Sequence, residues 1–261
     1  MPRADELVSC ALRESRAMLR EDLLLLPTLL AAARAKSSVG VFVEIGALDG
    51  KQFSNTLMLE KCFDWQGVLV EANPKNFAKL NVSGRRAHLV QSAVCSAGGG
   101  QKTVRFSLDG SETAGEFERL TSKRQALRRS RTVDVPCKPL SVILSEHGFA
   151  GADFLSLDVE GAEDKVLATV SPDAFTVIMV ENNGISQKRV ASLMRAASMR
   201  RARNVSVPFS DVWVRPGTKE LVVAGARISP RITYTGPTPV IPRQSLMMGA
   251  LMSGWSTEHG A

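Results

Sequence analysis

The sequence predicts an α/β fold, a doubly wound and mostly parallel sheet with helices on both faces. Three observations point there. Short apolar runs rich in Val, Ile, Leu and Phe recur at 40–45, 67–71, 87–90, 154–158 and 177–181, as strands buried on both faces do. Helical patterns lie between them at 53–63, 74–81, 139–147, 162–168 and 187–198, and such alternation builds a parallel sheet. Several runs end in a glycine turn or a carboxylate, at the strand ends where these sheets hold ligands.

Taken in order, residues 4–36 read as an amphipathic helix pair, with Leu7, Val8, Ala11, Leu12, Met18 and Leu19 near the helical period. The apolar run 23–33 is interrupted by Pro27 and is too short to span a bilayer. Glu14, Glu21 and Asp22 precede it, where a secretory leader would carry basic residues, and a cleaved or anchoring segment stays open as the alternative. Asn73-Pro74 starts a helix, because proline suits the first helical position. Ser171-Pro172-Asp173 marks a turn. Between the third and fourth main strands lies an insertion, 95–138, with strand-like pieces at 103–108 and 133–135 around the polar 109–132. Loops of that length usually serve function, here as cover for an acceptor pocket. Short strands are expected at 204–207, 211–215 and 219–224. The chain divides into an N-terminal helical extension (1–38), a main domain (39–224) and a Pro/Gly-rich tail (225–261).

With 261 residues, 44% of them apolar and 23% charged, the chain can bury a large core. The net charge of +7 is concentrated in two stretches. One holds Arg119, Lys123, Arg124, Arg128, Arg129 and Arg131; the other holds Arg195, Arg200, Arg201 and Arg203. They read as solvated faces, with a rim for an anionic substrate, lipid head group or nucleic acid as the alternative. Phe and Trp are not interleaved with them, which argues against nucleic acid. Cys10, Cys62, Cys95 and Cys137 lie far apart with no C-x-x-C pair, so reduced thiols are expected and a zinc site is not. A cytoplasmic protein is the expectation.

The densest signal is the run Val41-Phe42-Val43-Glu44-Ile45-Gly46-Ala47-Leu48-Asp49-Gly50, followed about twenty residues later by Val68-Leu69-Val70-Glu71. Gly46 permits a tight turn off the first strand. Glu71, at the tip of the second, can accept hydrogen bonds from two ribose hydroxyls. The glycines do not follow G-x-G-x-x-G, the fingerprint for a pyrophosphate. Glu44 and Asp49 would repel a pyrophosphate and suit an ammonium and a sulfonium. S-adenosylmethionine carries both, while a dinucleotide and a structural turn stay open as alternatives.

The second signal is Phe154-Leu155-Ser156-Leu157-Asp158-Val159-Glu160-Gly161-Ala162-Glu163. Asp158 ends a strand beside the cofactor pocket and is the first candidate for the reaction centre. Glu163 reads as a helix-start cap. Glu160 and Glu181 are the supporting carboxylates. His147, before Gly148 at a helix end, reads as a surface cap.

Five motifs in order resemble the FkbM family of methyltransferases: Glu44-Ile-Gly-Ala-Leu-Asp-Gly50, Val70-Glu-Ala-Asn-Pro74, Ser92-Ala-Val94, Leu157-Asp-Val-Glu-Gly-Ala-Glu163 and Ser210-Asp-Val-Trp-Val214. The resemblance runs from about Val39 to Arg215. It implies a class I methyltransferase (Rossmann-like) fold, with a seven-stranded sheet whose last strand is antiparallel, and usually O-methylation of a hydroxyl. It also implies that Gly46, Ala47 and their neighbours lie by the methionine moiety of S-adenosyl-L-methionine. Glu71, with Ala72 and Asn73, would lie by the ribose, Ser92 and Ala93 by the adenine, and Asp158 and Glu160 by the transferred methyl. Asn182 follows Glu181 where the family often has a histidine, so no histidine base is implied there.

An alcohol acceptor must lose a proton, and Asp158, Glu160 or Glu181 could take it. Clustered carboxylates also suit Mg²⁺, but the cofactor and helix-start roles use the same groups, and no metal is expected. The reading is an S-adenosylmethionine-dependent O-methyltransferase acting on a small-molecule, sugar or lipid-linked acceptor. The alternative is a non-catalytic adaptor that binds a membrane or protein partner through its basic faces.

Overall fold

The computed structural model describes residues 3–220 apart from 37, 97–101, 108–131, 183, 185, 206 and 208. The first basic stretch, the polar middle of the insertion, most of the strand expected at 219–224 and the tail lie outside the described residues.

Two helices lead the chain, α1 (Ala4–Glu14) and α2 (Glu21–Ala35). Then follow β1 (Val41–Ile45), α3 (Leu57–Phe63), β2 (Gln66–Glu71), α4 (Pro74–Asn81) and β3 (His88–Gln91). The insertion supplies β4 (Ala93–Val94), β5 (Thr103–Ser107) and β6 (Thr132–Lys138). The second half runs α5 (Leu140–Glu146), β7 (Ala152–Leu157), α6 (Glu163–Leu167), β8 (Phe175–Glu181), α7 (Gln187–Ala196), β9 (Arg200–Arg201) and β10 (Ser210–Val214).

The main sheet has seven strands in the order β3-β2-β1-β7-β8-β10-β9. β3, β2, β1, β7 and β8 are parallel, and β10 runs antiparallel to β8. The strand order therefore reverses between β1 and β7, whose Ile45 and Leu157 lie side by side. Their carboxyl ends open the crevice where ligands of such sheets bind. One apolar cluster, with Val43, Val68, Leu155 and Ile178, fills one face under α5, α6 and α7. The opposite cluster holds Phe42, Leu69, Phe154 and Val177 together with α1, α2 and α3.

α2 departs from the expected amphipathic, Pro27-broken helix. It runs unbroken through Pro27, and Leu23, Leu24, Leu25, Leu26, Leu29 and Leu30 are all buried. An internal proline costs about 3 kcal/mol, whereas each buried leucine contributes roughly 1.5–3 kcal/mol, so packing wins. Helix α1 keeps the amphipathic pattern, burying Leu7 and Ala11.

The cysteines also depart from the expectation of free thiols. Cys10 is bonded to Cys62, and Cys95 to Cys137, across sequence separations of 52 and 42 residues. No local spacing could have revealed pairs that only the fold brings together. The first bond ties α1 beside α3. The second ties the residue after β4 into β6, within a small three-stranded sheet of order β4-β6-β5. That sheet has its own apolar centre of Val104, Phe106 and Val135.

Candidate active site

A cleft of about 1010 Å³, open mouth included, lies over the carboxyl ends of β1, β2 and β7. Its walls come from the turn after β1, the tip of β2, the loop after β7 and the insertion sheet, through Ser92, Ala93, Val94, Val104 and Phe106. Among the predicted cofactor residues, Glu44, Gly46, Ala47, Glu71, Ala72, Ser92, Ala93 and Asp158 line it.

Gly46 holds φ at 87°, and its N–H and that of Ala47 both donate to the Val70 carbonyl. A Cβ there would lie 1.9 Å from the Asp158 carbonyl oxygen. The glycine thus keeps the β1 and β7 ends in contact as well as making the turn. Gly50 (φ 79°) does not line the cleft; a Cβ there would meet Leu80 at 2.5 Å.

Glu44 was expected beside a ligand ammonium, and its carboxylate is instead occupied by its own loop. One oxygen accepts from the Ser54 and Thr56 hydroxyls at 2.8 and 2.6 Å, the other from the Asn55 N–H at 2.7 Å. Arg85, whose side chain is fully buried, completes the arrangement. Its guanidinium donates to Glu60, the Gly50 carbonyl, Ser54 and Thr56, and lies 3.9 Å from Glu44. Buried charges require such pairing. Asp49 likewise turns inward to its own backbone, accepting from the Lys51 and Gln52 N–H groups. Asn73 caps α4 by accepting from the Lys75 N–H and stays outside the cleft, its amide nitrogen buried without a partner.

Glu71 is buried and accepts the Leu48 N–H at 2.8 Å and the Asn73 N–H at 2.7 Å, one on each oxygen. Burial pushes its carboxyl up to about 7 against the pull of those bonds. Each carboxylate oxygen can accept a second bond.

Asp158 follows β7, with its N–H donating to the Ile45 carbonyl at 3.1 Å. Asp158 is exposed at the cleft mouth, while the protein atoms crowded around its carboxyl partly strip it of water. That desolvation raises its pKa well above the usual carboxylate range, and the charges of Glu181 and Glu160, a hydrogen bond shared with Glu181 and the charge of Glu163 add to it. Carboxyl oxygens of Asp158, Glu160 and Glu181 lie within 4.8 Å of one another. Such a trio could close around a hard divalent cation; it can equally hold one proton between two carboxyls. Glu160 sits at φ 57°, a conformation uncommon outside glycine. His147 ends α5 and stacks on His88 at 4.8 Å. His88 begins β3, at the opposite end of the sheet from the cleft, so His147 is far from this chemistry.

The sequence reading missed Gln52, Phe53, Asn55 and Ser156, which also line the cleft. Asn55 donates to the Ser156 hydroxyl at 3.2 Å, and its amide oxygen is buried without a partner. Ser156 could have been found, since it lies two residues before Asp158 on the same strand face.

The model of the FkbM methyltransferase domain matches residues 44–202, more than half of the sequence. The chain belongs to the FkbM methyltransferase family. Its sheet is the Rossmann-like fold of class I methyltransferases, its activity is methyl transfer and its cofactor is S-adenosylmethionine. Solved structures similar to this chain include the FkbM methyltransferase of Methylobacillus flagellatus, with a TM-score of 0.42 and 10% identity over 80% of this chain and 58% of that one. The S-adenosylhomocysteine-bound methyltransferase PaMTH1 of Podospora anserina gives a TM-score of 0.41 and 13% identity over 82% and 88%. Aeropyrum pernix fibrillarin with bound S-adenosylmethionine gives 0.37 and 13% over 71% and 74%. No curated protein matches the sequence. The cleft of this FkbM chain fits the cofactor chemically. Glu71 keeps acceptor capacity for two hydroxyls, and Asn55 offers an unpaired amide oxygen on the wall. No helix among the described residues is long and apolar enough to cross a membrane.

Proposed function

We propose that this FkbM protein methylates the oxygen of a hydroxyl on a small-molecule, sugar or lipid-linked acceptor. The observation that carries the reading is the cluster of Asp158, Glu160 and Glu181, whose carboxyl oxygens lie within 4.8 Å of one another at the edge of the cofactor cleft. When bound, the cofactor supplies an electrophilic methyl on a sulfonium. On this reading Glu71 takes the ribose hydroxyls, Ser92 and Ala93 flank the adenine, and Gly46 and Ala47 follow the methionine chain. Asp158 would accept the hydroxyl's proton as the oxygen receives the methyl, the carbon–sulfur bond breaking to leave S-adenosylhomocysteine. A carboxylate whose pKa is raised is a stronger base than an ordinary one, and Glu181 shares the proton until it is released. Most of the remaining catalysis is alignment of the acceptor oxygen with the methyl.

The same charges argue for oxygen over nitrogen. Three clustered carboxylates hold an amine as its ammonium, which has no lone pair to receive a methyl group. A neutral hydroxyl donates to them and keeps its lone pairs. We further read the protein as working in an oxidising compartment, since disulfides persist there and are rare in the cytosol. The two disulfides favour that reading over the cytoplasmic expectation.

The test is transfer from ¹³C-methyl-labelled cofactor to a panel of methyl glycosides, polyprenols and primary amines, with products located by NMR. An O-methyl product on one of the hydroxylated compounds supports the reading. Methylation confined to the amines overturns it.

A further inference from the structure

Glu163, expected to cap the start of its helix, opens it and also reaches beyond it. It is fully buried at the first position of the five-residue α6. One carboxylate oxygen accepts the N–H of Gly161, two residues back, at 2.8 Å. The other accepts the hydroxyl of Ser186, the residue before α7, at 2.5 Å. Gly161 closes the turn that carries Asp158 and Glu160 off β7. Ser186 lies five residues after Glu181, which ends β8. A single buried carboxylate therefore bridges the two loops whose ends hold the carboxyl pair. Asp164 repeats the connection further out, pairing with Arg189 of α7 at 3.2 Å.

We propose that Glu163 is a positioning residue that sets the separation of Asp158 and Glu181 by tying the β7 loop to the β8 loop. A capping carboxylate would engage the amides of its own first turn from a solvated position. A buried one is held only by partners that satisfy it, and here those partners belong to the two loops. The proposal rests on reading the pair as the reaction centre, but its geometry can be tested without any acceptor. The charged groups that face Asp158 are Glu181 from β8, Glu160 from its own loop and Glu163 from α6. Glu44 of β1 lines the same cleft with Arg85 beside it.

The readout is the ¹³C NMR titration of the Asp158 carboxyl in the full chain, assigned by its loss in Asp158→Asn. Ser186→Ala removes the tie and leaves the Glu163 charge in place. Glu163→Gln removes the charge as well. Both should lower the pH at which the pair gives up its proton, because the two carboxyls separate, and Glu163→Gln should lower it further. Asp164→Asn should leave the step where it is. All three should bind S-adenosylhomocysteine within about threefold of wild type, a change under 1 kcal/mol, which also reports that they fold. An unmoved step in Ser186→Ala overturns the proposal, since only the charge would then matter. An equal shift in Asp164→Asn overturns it too, by showing general loosening. If Ser186→Ala behaves as expected and no hydroxyl is ever methylated, the function proposed above fails and the positioning role stands.

Discussion

Burial raises the Glu71 carboxyl while the Leu48 and Asn73 N–H groups donate to it, so ribose hydroxyls meet a full acceptor only in its ionised form. Affinity for S-adenosylhomocysteine should therefore fall as the pH drops through about 7. Replacing Glu71 by Ala removes two charge-assisted bonds worth roughly 1.5–3 kcal/mol each. Titration calorimetry should show at least about tenfold weaker binding and no pH dependence in this range. Unchanged affinity would move the ribose elsewhere. Glu71 and Asp158 were legible because each ends an apolar strand, a position that can be read from a few consecutive residues. Arg85 was not. Its partners Glu44, Gly50, Ser54, Thr56 and Glu60 precede it by 25 residues or more, and no periodicity links them.

At the scale of elements, α2 carries a buried acid. Asp22 is fully buried, accepts from Ser15 and Leu23 on one oxygen, and leaves the other without a partner. Burial raises its pKa to about 7 from a model-compound value of 3.8. Folding thus favours the protonated form, and this contribution to stability is present at low pH and lost as pH rises through that window, by about 1.4 kcal/mol per unit. Asp22→Asn keeps the acceptor and needs no proton. It should raise Tm at pH 8 clearly more than at pH 5, where only the first part of the loss has accrued; an equal effect at both would place the charge in water. The insertion sheet offers a second test. Replacing Cys95 and Cys137 by Ser should cost about 2–4 kcal/mol and weaken S-adenosylhomocysteine binding, because β4 and β5 wall the cleft. Replacing Cys10 and Cys62 should lower Tm without touching affinity, since neither residue lines it. The five main strands were read within two residues because their apolar runs are short and bounded by glycine, proline or carboxylates. The piece expected at 133–135 extends to Lys138, and in place of the strand expected at 204–207 there is β9 at Arg200–Arg201 and a lone bridge between Val207 and Ser210. Helix α3 was overextended, from 53 to its observed start at Leu57, because the loop before it is held by Glu44 and Arg85 and not by a helical pattern.

For the whole molecule, the parallel order and the position of the cleft followed from alternation alone, since a strand–helix–strand repeat leaves few topologies. What stayed hidden were the long-range links: the disulfides, the Arg85 cluster and the Glu163 bridge. Each joins residues that the sheet brings together and the sequence keeps apart. The central claim is that binding and chemistry are divided across this fold, with cofactor contacts at the ends of β1 and β2 and beside the insertion sheet, and the proton acceptor at the end of β7. Asp158→Asn tests it most directly, by S-adenosylhomocysteine binding together with methyl transfer to the acceptor found in the panel above. The account predicts cofactor affinity close to wild type and turnover lower by about a hundredfold or more. Loss of cofactor binding in that variant, or turnover that does not change, would contradict it.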